Sequence, residues 1–199
     1  MKALGIIGGI APASTVIYYQ AIIHHYRREN PDGTYPLILI NSVDLTRLLS
    51  FVEQKDLDGL TEFLLEEIDK LIRAGADLAL LASNTPHIVF DELEKRSPIP
   101  LINITKAGAD AAKKLGLRRL GLFGTRFIMQ ADVYPRAFKA QGMEVVPPNR
   151  SEQNYIHDTY MTELVHGVEW SATRGLFTKI AGDMKRRSGI DGMILGGCE

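Results

Sequence analysis

Short apolar runs alternate along the chain with longer segments in which apolar residues recur at helical spacing. The runs have strand length and cover residues 3–7, 37–40, 78–82 and 101–104. Helical spacing predicts a helix over residues 57–74, ended by Gly75, and Ser14 is expected to cap the helix after the first run. Continuous apolar runs that alternate with helices are typical of buried strands in a parallel sheet. The pattern therefore predicts an α/β fold.

Two segments in the second part of the chain repeat the glycine pattern of the first part. Arg119–Thr125 echoes Ala3–Gly9 at an offset of 116 residues, and Gly189–Asp191 echoes Gly75–Asp77 at an offset of 114. Nearly equal offsets indicate an internal duplication, although G-x-x-G after an apolar run is also commonplace in α/β proteins. A duplication predicts two pseudo-equivalent βαβ halves.

These halves correspond to two pseudo-symmetric Rossmann-like lobes, residues 1–105 and 106–199, each a parallel sheet flanked by helices. Ligands of such sheets bind at the carboxyl ends of the strands. We therefore expect the functional site in the cleft between the lobes, with the ends of the two central strands facing each other.

Polar residues begin where the central apolar run of the first lobe stops. Ser83, Asn84 and Thr85 follow the run directly, and their hydroxyl, amide and backbone N–H groups suit a small anionic ligand. In the second lobe, the corresponding strand ends near Gly197 and Cys198. Cys198 fits either an inert buried residue or a reactive thiol, because an unperturbed thiol has a pKa of about 8.5.

Composition excludes several classes of protein. The chain has 199 residues, of which 45% are hydrophobic and 24% charged, as in soluble globular proteins. A formal charge of −1 gives no electrostatic reason to bind nucleic acid or an acidic membrane, and no apolar run approaches the roughly 20 residues of a membrane span. A single cysteine excludes an internal disulfide framework and fits a reducing, cytoplasmic location.

Other chemistries find little support in the sequence. The glycines after the first strand do not form G-x-G-x-x-G, and Asp44 lies farther along than the ribose-binding acid of a dinucleotide site. The five histidines are scattered and no C-x-x-C or H-E-x-x-H occurs, so no metal is expected. His87, beside the polar cluster, fits either a supporting role at the site or plain helix capping.

Five co-linear segments span essentially the whole chain and match motifs of one family. They are G-G-I-A-P-A-S-T (8–15), I-N-S-V-D (40–44), S-N-T-P-H (83–87), G-L-F-G-T-R-F-I-M (121–129) and I-L-G-G-C-E (194–199). The chain resembles the aspartate/glutamate racemases, the amino-acid racemases that work without pyridoxal phosphate. The resemblance implies two similar lobes with substrate between them, no cofactor, a homodimer, and two bases acting on opposite faces of Cα.

The same resemblance implies roles for individual side chains. Three polar residues would hold the α-carboxylate and amino group of the substrate: Asn84, Thr85 and Thr125. Ile10 would wall the pocket. Arg47 would pair with the side-chain carboxylate, which arginine suits by its bidentate geometry. His166 falls where some relatives place a cation for the same carboxylate.

The sequence departs from the family pattern at three places. Ser83 occupies the position of the first catalytic cysteine, as a hydroxyl residue does in some members. The usual G-C-T-E motif reads G-G-C-E, which puts Gly197 in the cysteine position and Cys198 after it. The family continues for another strand and helix beyond Glu199, so we expect a second lobe truncated at its C-terminal end.

Three hypotheses for the function follow. The first is a cofactor-independent racemase of aspartate, glutamate or a related amino acid, with Ser83 and Cys198 as unequal bases. The second is an arylmalonate-type decarboxylase that uses a single cysteine to protonate its product from one face. The third is a catalytically inactive protein that binds acidic amino acids. Each has a small amino acid or dicarboxylate as partner.

Overall fold

The computed structural model of the chain describes residues 1–10, 12–166 and 170–197. The chain divides into two compact units, residues 1–103 and 104–199. Each unit contains a parallel sheet with helices connecting its strands, which confirms the α/β fold class.

The first unit is a four-stranded parallel sheet with the order β2-β1-β3-β4. Its elements are β1 (Leu4–Gly8), α1 (Pro12–Glu29), β2 (Ile38–Ser42), α2 (Leu45–Glu53), α3 (Leu57–Arg73), β3 (Leu78–Leu81), a 3₁₀ helix (Thr85–Val89), α4 (Phe90–Arg96) and β4 (Leu101–Ile102). Ile6 and Leu80 on the central strands form a buried cluster with Ala82, and Tyr18 and Ile22 of α1 pack against it. The apolar face of α1 therefore covers the two central strands.

The second unit is a three-stranded parallel sheet with the order β6-β5-β7. Its elements are α5 (Ile104–Lys114), β5 (Arg119–Gly124), α6 (Arg126–Gln130), α7 (Val133–Lys139), β6 (Glu144–Val146), α8 (Arg150–Thr162), a 3₁₀ helix (Leu164–His166), α9 (Ser171–Ser188) and β7 (Gly192–Gly196). In the first sheet β4 pairs with the outer side of β3. Among the described residues, no strand takes the corresponding place beside β7 in the second sheet.

One helix start differs from the sequence prediction, and one helix end agrees with it. α1 begins at Pro12, so Ser14 lies inside the helix and is buried, rather than capping it; proline suits a first helical turn because its fixed φ is helical. α3 ends as predicted, with Gly75 at φ +101°, but its first residue, Leu57, is exposed. In the described part of the chain, no helix combines the length and apolar character needed to cross a membrane.

The register of the central strands repeats from one sheet to the other. Leu4 of β1 pairs with Leu78 of β3, and Leu120 of β5 pairs with Gly192 of β7. These pairs are separated by the same offsets of 116 and 114 residues that the glycine pattern shows. The pseudo-symmetry expected from the sequence is therefore present in the hydrogen-bonded frame.

An aspartate fixes the start of the central strand pair in each unit. Asp77 accepts the Ala3 N–H at 2.7 Å and returns a bond from its own N–H to the Ala3 carbonyl at 2.9 Å. Asp191 accepts the N–H groups of Arg118 and Arg119 at 2.9 and 3.0 Å, and its own N–H donates to the Arg119 carbonyl at 2.8 Å. The duplication thus includes a side-chain bond at the amino ends of the strands.

Candidate active site

The polar cluster of the first unit lies where β1 and β3 end side by side. Ile7 of β1 pairs with Leu81 of β3, and the N–H of Ala82 donates to the Ile7 carbonyl at 2.9 Å. Ser83, Asn84 and Thr85 follow with exposures of 9%, 4% and 5%. Three hydrogen-bonding side chains are therefore packed together at the carboxyl end of the sheet.

The loop after β1 is shaped by a hydroxyl beneath it. Gly9 has φ +84°, and a Cβ there would lie 2.4 Å from the Val43 carbonyl oxygen, so only glycine fits. Its N–H donates to Oγ1 of Thr15, buried in α1, at 3.0 Å. Ile10 follows and is only 3% exposed. The loop thus carries a buried apolar side chain beside the strand ends.

His87 joins the polar cluster from the 3₁₀ helix. Its ring Nδ1 lies 2.9 Å from the Ser83 carbonyl oxygen, and its backbone N–H donates to the Asn84 carbonyl at 3.0 Å. The ring stacks on Phe90, with centroids 5.0 Å apart and planes 3° from parallel. Burial lowers the pKa of His87 to about 4, partly opposed by its bonds to the Ser83 and Asn84 backbone. The imidazole is therefore neutral near pH 7.

Arg47 and Asp44 lie at the start of α2, beyond the end of β2. Asp44 caps the helix by accepting the Thr46 N–H at 2.8 Å. Its carboxylate therefore has a structural role at the helix start. Arg47 is exposed, and its guanidinium carbon lies 4.6 Å from the ring centroid of Phe63 on α3. In this structure the arginine side chain therefore packs on the neighbouring helix.

In the second unit, Thr125 follows the end of β5. It is 5% exposed, and its side chain caps α6 by accepting the Ile128 N–H at 3.4 Å. The next N–H, of Arg126, donates to Nδ1 of His157 on α8 at 3.2 Å. Burial and the nearby Arg126 charge lower the pKa of His157, and Asp158 partly opposes them. A neutral imidazole therefore anchors this strand end.

The end of β7 has no room for a side chain at Gly197. A Cβ there would lie 2.4 Å from Cε2 of Tyr160 on α8. The duplicated register carries Gly197 onto the position of Ser83, so the second unit has no side chain at the place where the first has its hydroxyl. Cys198, the predicted base, lies outside the described residues.

An apolar cavity of about 380 Å³ adjoins the same strand ends in the second unit. Gly124 and Gly197 form part of its lining, and aromatic and aliphatic side chains form most of the rest. His166 is exposed, in the 3₁₀ helix that contributes Leu164 to the lining. Within the described ranges, no group of three or more His, Cys, Asp or Glu side chains is arranged to hold a metal ion.

Sequence reasoning missed three residues that support the strand ends: Thr15, His157 and Tyr160. Thr15 lies six residues from the N–H that it accepts, and the close glycines before it were the available signal. His157 is 31 residues from Arg126 along the chain. Contacts of this separation leave no local pattern in a single sequence.

Taken together, the fold and the strand ends define a duplicated α/β protein with a buried cluster of hydrogen-bonding groups at one strand end. The family model of the Asp/Glu/hydantoin racemases matches residues 7–199. The chain belongs to that family.

Relatives agree with this assignment in sequence and fold. A structure of an aspartate racemase homologue from Pyrococcus horikoshii OT3 is 33% identical, with a TM-score of 0.83 over 100% of this chain and 86% of that one. A candidate Asp/Glu racemase from Yersinia pestis is 28% identical, with a TM-score of 0.87 over 98% and 85%. The broad specificity amino-acid racemase RacX of Bacillus subtilis (strain 168) is 23% identical over 157 residues, 75% of this chain and 66% of RacX. The match thus spans just under two thirds of that curated relative.

Proposed function

We propose that the protein is a cofactor-independent racemase of an acidic amino acid, aspartate or glutamate. The observation that carries the proposal is the buried Ser83–Asn84–Thr85 cluster at the end of β3 in a chain of the racemase family. The Pyrococcus relative is described as an aspartate racemase homologue and the Yersinia relative as an Asp/Glu racemase, which supports an acidic substrate.

The proposed reaction moves a proton from one face of Cα to the other. In one direction, the Cys198 thiolate takes the Cα proton, and the electron pair left behind delocalises into the α-carboxylate. The Ser83 hydroxyl then gives its proton to the opposite face of the carbon. In the other direction the two groups exchange roles. Because a serine hydroxyl is a much weaker base than a thiol near pH 7, the two directions should differ in their proton-transfer steps.

The developing charge on the carboxylate must be stabilised without an electron-sink cofactor. Asn84, Thr85 and Thr125 are proposed to do this by donating hydrogen bonds to the α-carboxylate, from positions already ordered by packing. Arg47 and His166 are proposed as partners of the side-chain carboxylate, and Arg47 must then leave its position over the Phe63 ring.

The buried Ile10 is proposed to wall the pocket beside the polar cluster. A homodimer in the cytoplasm belongs to the same proposal, on the grounds of the family resemblance and the single cysteine. Sedimentation velocity of the purified protein tests the dimer, and a single species at the monomer mass would contradict it.

The decisive measurement is proton NMR of L- and D-aspartate and L- and D-glutamate incubated with the protein in D₂O. We expect loss of the Cα–H signal with at least one of these amino acids. Cys198→Ala and Ser83→Ala should each slow inversion at least tenfold, because each removes one of the two acid–base groups. Ser151→Ala, at an exposed serine on α8, serves as the matched control and should leave the rate unchanged.

Two outcomes would contradict the proposal. No exchange of any of the four amino acids by the folded wild-type protein would exclude racemisation of these substrates. Full activity of Cys198→Ala would show that the proton transfer uses another group.

A further inference from the structure

His87 is a buried titratable group that the two-base reaction does not use. It is 1% exposed, and it bonds to two successive carbonyls, those of Ser83 through its ring and of Asn84 through its backbone N–H. The parallel stack on Phe90 fixes the plane of the ring. His87 thus holds two successive peptide carbonyls, those of Ser83 and Asn84, in place.

The bond to Ser83 decides where the ring proton lies. A backbone carbonyl oxygen only accepts hydrogen bonds, so Nδ1, at 2.9 Å from it, must carry the proton. In the neutral imidazole Nε2 is then unprotonated. Since Nδ1 is committed to the Ser83 carbonyl, this nitrogen is a donor and does not act as a base for the serine hydroxyl.

The same bond orients the peptide between Ser83 and Asn84. The structure contains no cis peptide bond among the described residues, and in a trans peptide the C=O and N–H point in opposite directions. With the Ser83 carbonyl directed at His87, the Asn84 N–H points away from it. His87 therefore sets the direction of a backbone donor next to the proposed base.

We propose that His87 is a positioning residue that holds the Ser83–Asn84 peptide so that the Asn84 N–H faces the α-carboxylate of the substrate. The inference rests on the proposed racemase function and deepens it. Charge develops on that carboxylate as the Cα proton leaves, and a donor fixed before the reaction stabilises it without reorganisation.

Three substitutions distinguish the contribution of the His87 hydrogen-bond donor from that of its aromatic ring. His87→Phe keeps an aromatic ring to stack on Phe90 and removes the donor. His87→Asn removes the ring, but its Nδ2 stands the same number of bonds from Cα as the histidine Nδ1. His87→Gln places its amide nitrogen one bond farther. His24→Phe, on the exposed face of α1, is the matched control.

The rate of Cα–H exchange in D₂O, with L-aspartate and L-glutamate as probes, distinguishes these roles. A misplaced group of this kind costs about 10²-fold in rate, so we expect His87→Phe and His87→Gln to fall by that order. We expect His87→Asn to stay within about threefold of the wild type, and His24→Phe to match it. Thermal unfolding of each variant provides the comparison with stability.

A purely structural role predicts the opposite ranking. If His87→Phe retains its rate while His87→Asn loses rate and stability together, packing on Phe90 is what matters and the proposal is overturned. Imidazole ¹⁵N NMR of the wild type gives a second, activity-independent readout. Protonation at Nδ1 supports the proposal, and protonation at Nε2 alone refutes it. If the wild type shows no exchange but its His87 ring is protonated at Nδ1, the racemase function is contradicted. The hydrogen bond from His87 to the Ser83 carbonyl is then still supported.

Discussion

Thr15 holds the loop after β1 through one buried hydrogen bond, and that bond can be removed almost without changing shape. Its Oγ1 accepts the Gly9 N–H at 3.0 Å, and the side chain is buried under the Gly8–Gly9 turn. Thr15→Val replaces the hydroxyl by a methyl group of similar size. Thr15→Ser keeps the hydroxyl and removes the methyl.

The two substitutions should differ because they remove different interactions. In Thr15→Val the Gly9 N–H loses its protein acceptor while buried, which costs about 1–3 kcal/mol. In Thr15→Ser the loss is one buried methyl group, about 1 kcal/mol. A free-energy change of about 1.4 kcal/mol corresponds to a factor of ten in an equilibrium constant. The valine substitution should therefore raise the equilibrium constant for opening of the loop by roughly 5- to 140-fold.

Urea unfolding measures the change in the free energy of unfolding, and amide hydrogen exchange at Gly9 reports on the bond itself. We expect faster exchange of the Gly9 amide in Thr15→Val and near-native exchange in Thr15→Ser. If the serine variant is the less stable of the two and the valine variant exchanges like the wild type, packing of the methyl group holds the loop and the reasoning is refuted.

Two further changes test the second unit. Gly197→Ala should lower the free energy of unfolding by about 1–2 kcal/mol, since its Cβ would press on the Tyr160 ring. In the double variant with Tyr160→Ala, this loss should be smaller than in Gly197→Ala alone. If urea unfolding shows that the losses of the two single variants simply add, the contact is contradicted. The N–H groups of Arg119 and Arg118 hold the pKa of Asp191 below its ordinary value of 3.8. Wild type should therefore exceed Asp191→Asn in stability by a constant amount above about pH 5, and this difference should shrink as pH falls through the lowered pKa; thermal unfolding that shows the same difference at about pH 2 would refute the assignment.

Much of the frame was predictable because it depends on local sequence. Apolar runs gave the strands β1, β3 and β5, and Gly75 marked the end of α3, since these features arise within a few residues of one another. The repeated glycines gave the duplication. The helix start at Pro12 was missed because Ser14 and Pro12 both carry N-terminal signals, and the fixed φ of proline prevailed.

The support of the candidate site was not predictable in the same way. Ser83, Asn84 and Thr85 were identified because they interrupt an apolar run at a strand end. The side chain that bonds the Arg126 N–H comes from α8, and the ring that excludes a Cβ from Gly197 is from the same helix. These contacts depend on where a distant helix packs, which a single sequence does not encode locally.

The duplication preserves the frame of the two units and not their strand ends. Asp77 and Asp191 make matching bonds at the amino ends of the central strands, where both units need only a stable sheet. At the carboxyl ends, Ser83 in the first unit corresponds to Gly197 in the second, which is closed to side chains by Tyr160. Under the proposed mechanism, the reactive side chain of the second unit therefore comes from a different sequence position, that of Cys198. Two bases offered from non-equivalent positions, one a hydroxyl and one a thiol, give a physical reason to expect unequal proton transfer on the two faces of the substrate.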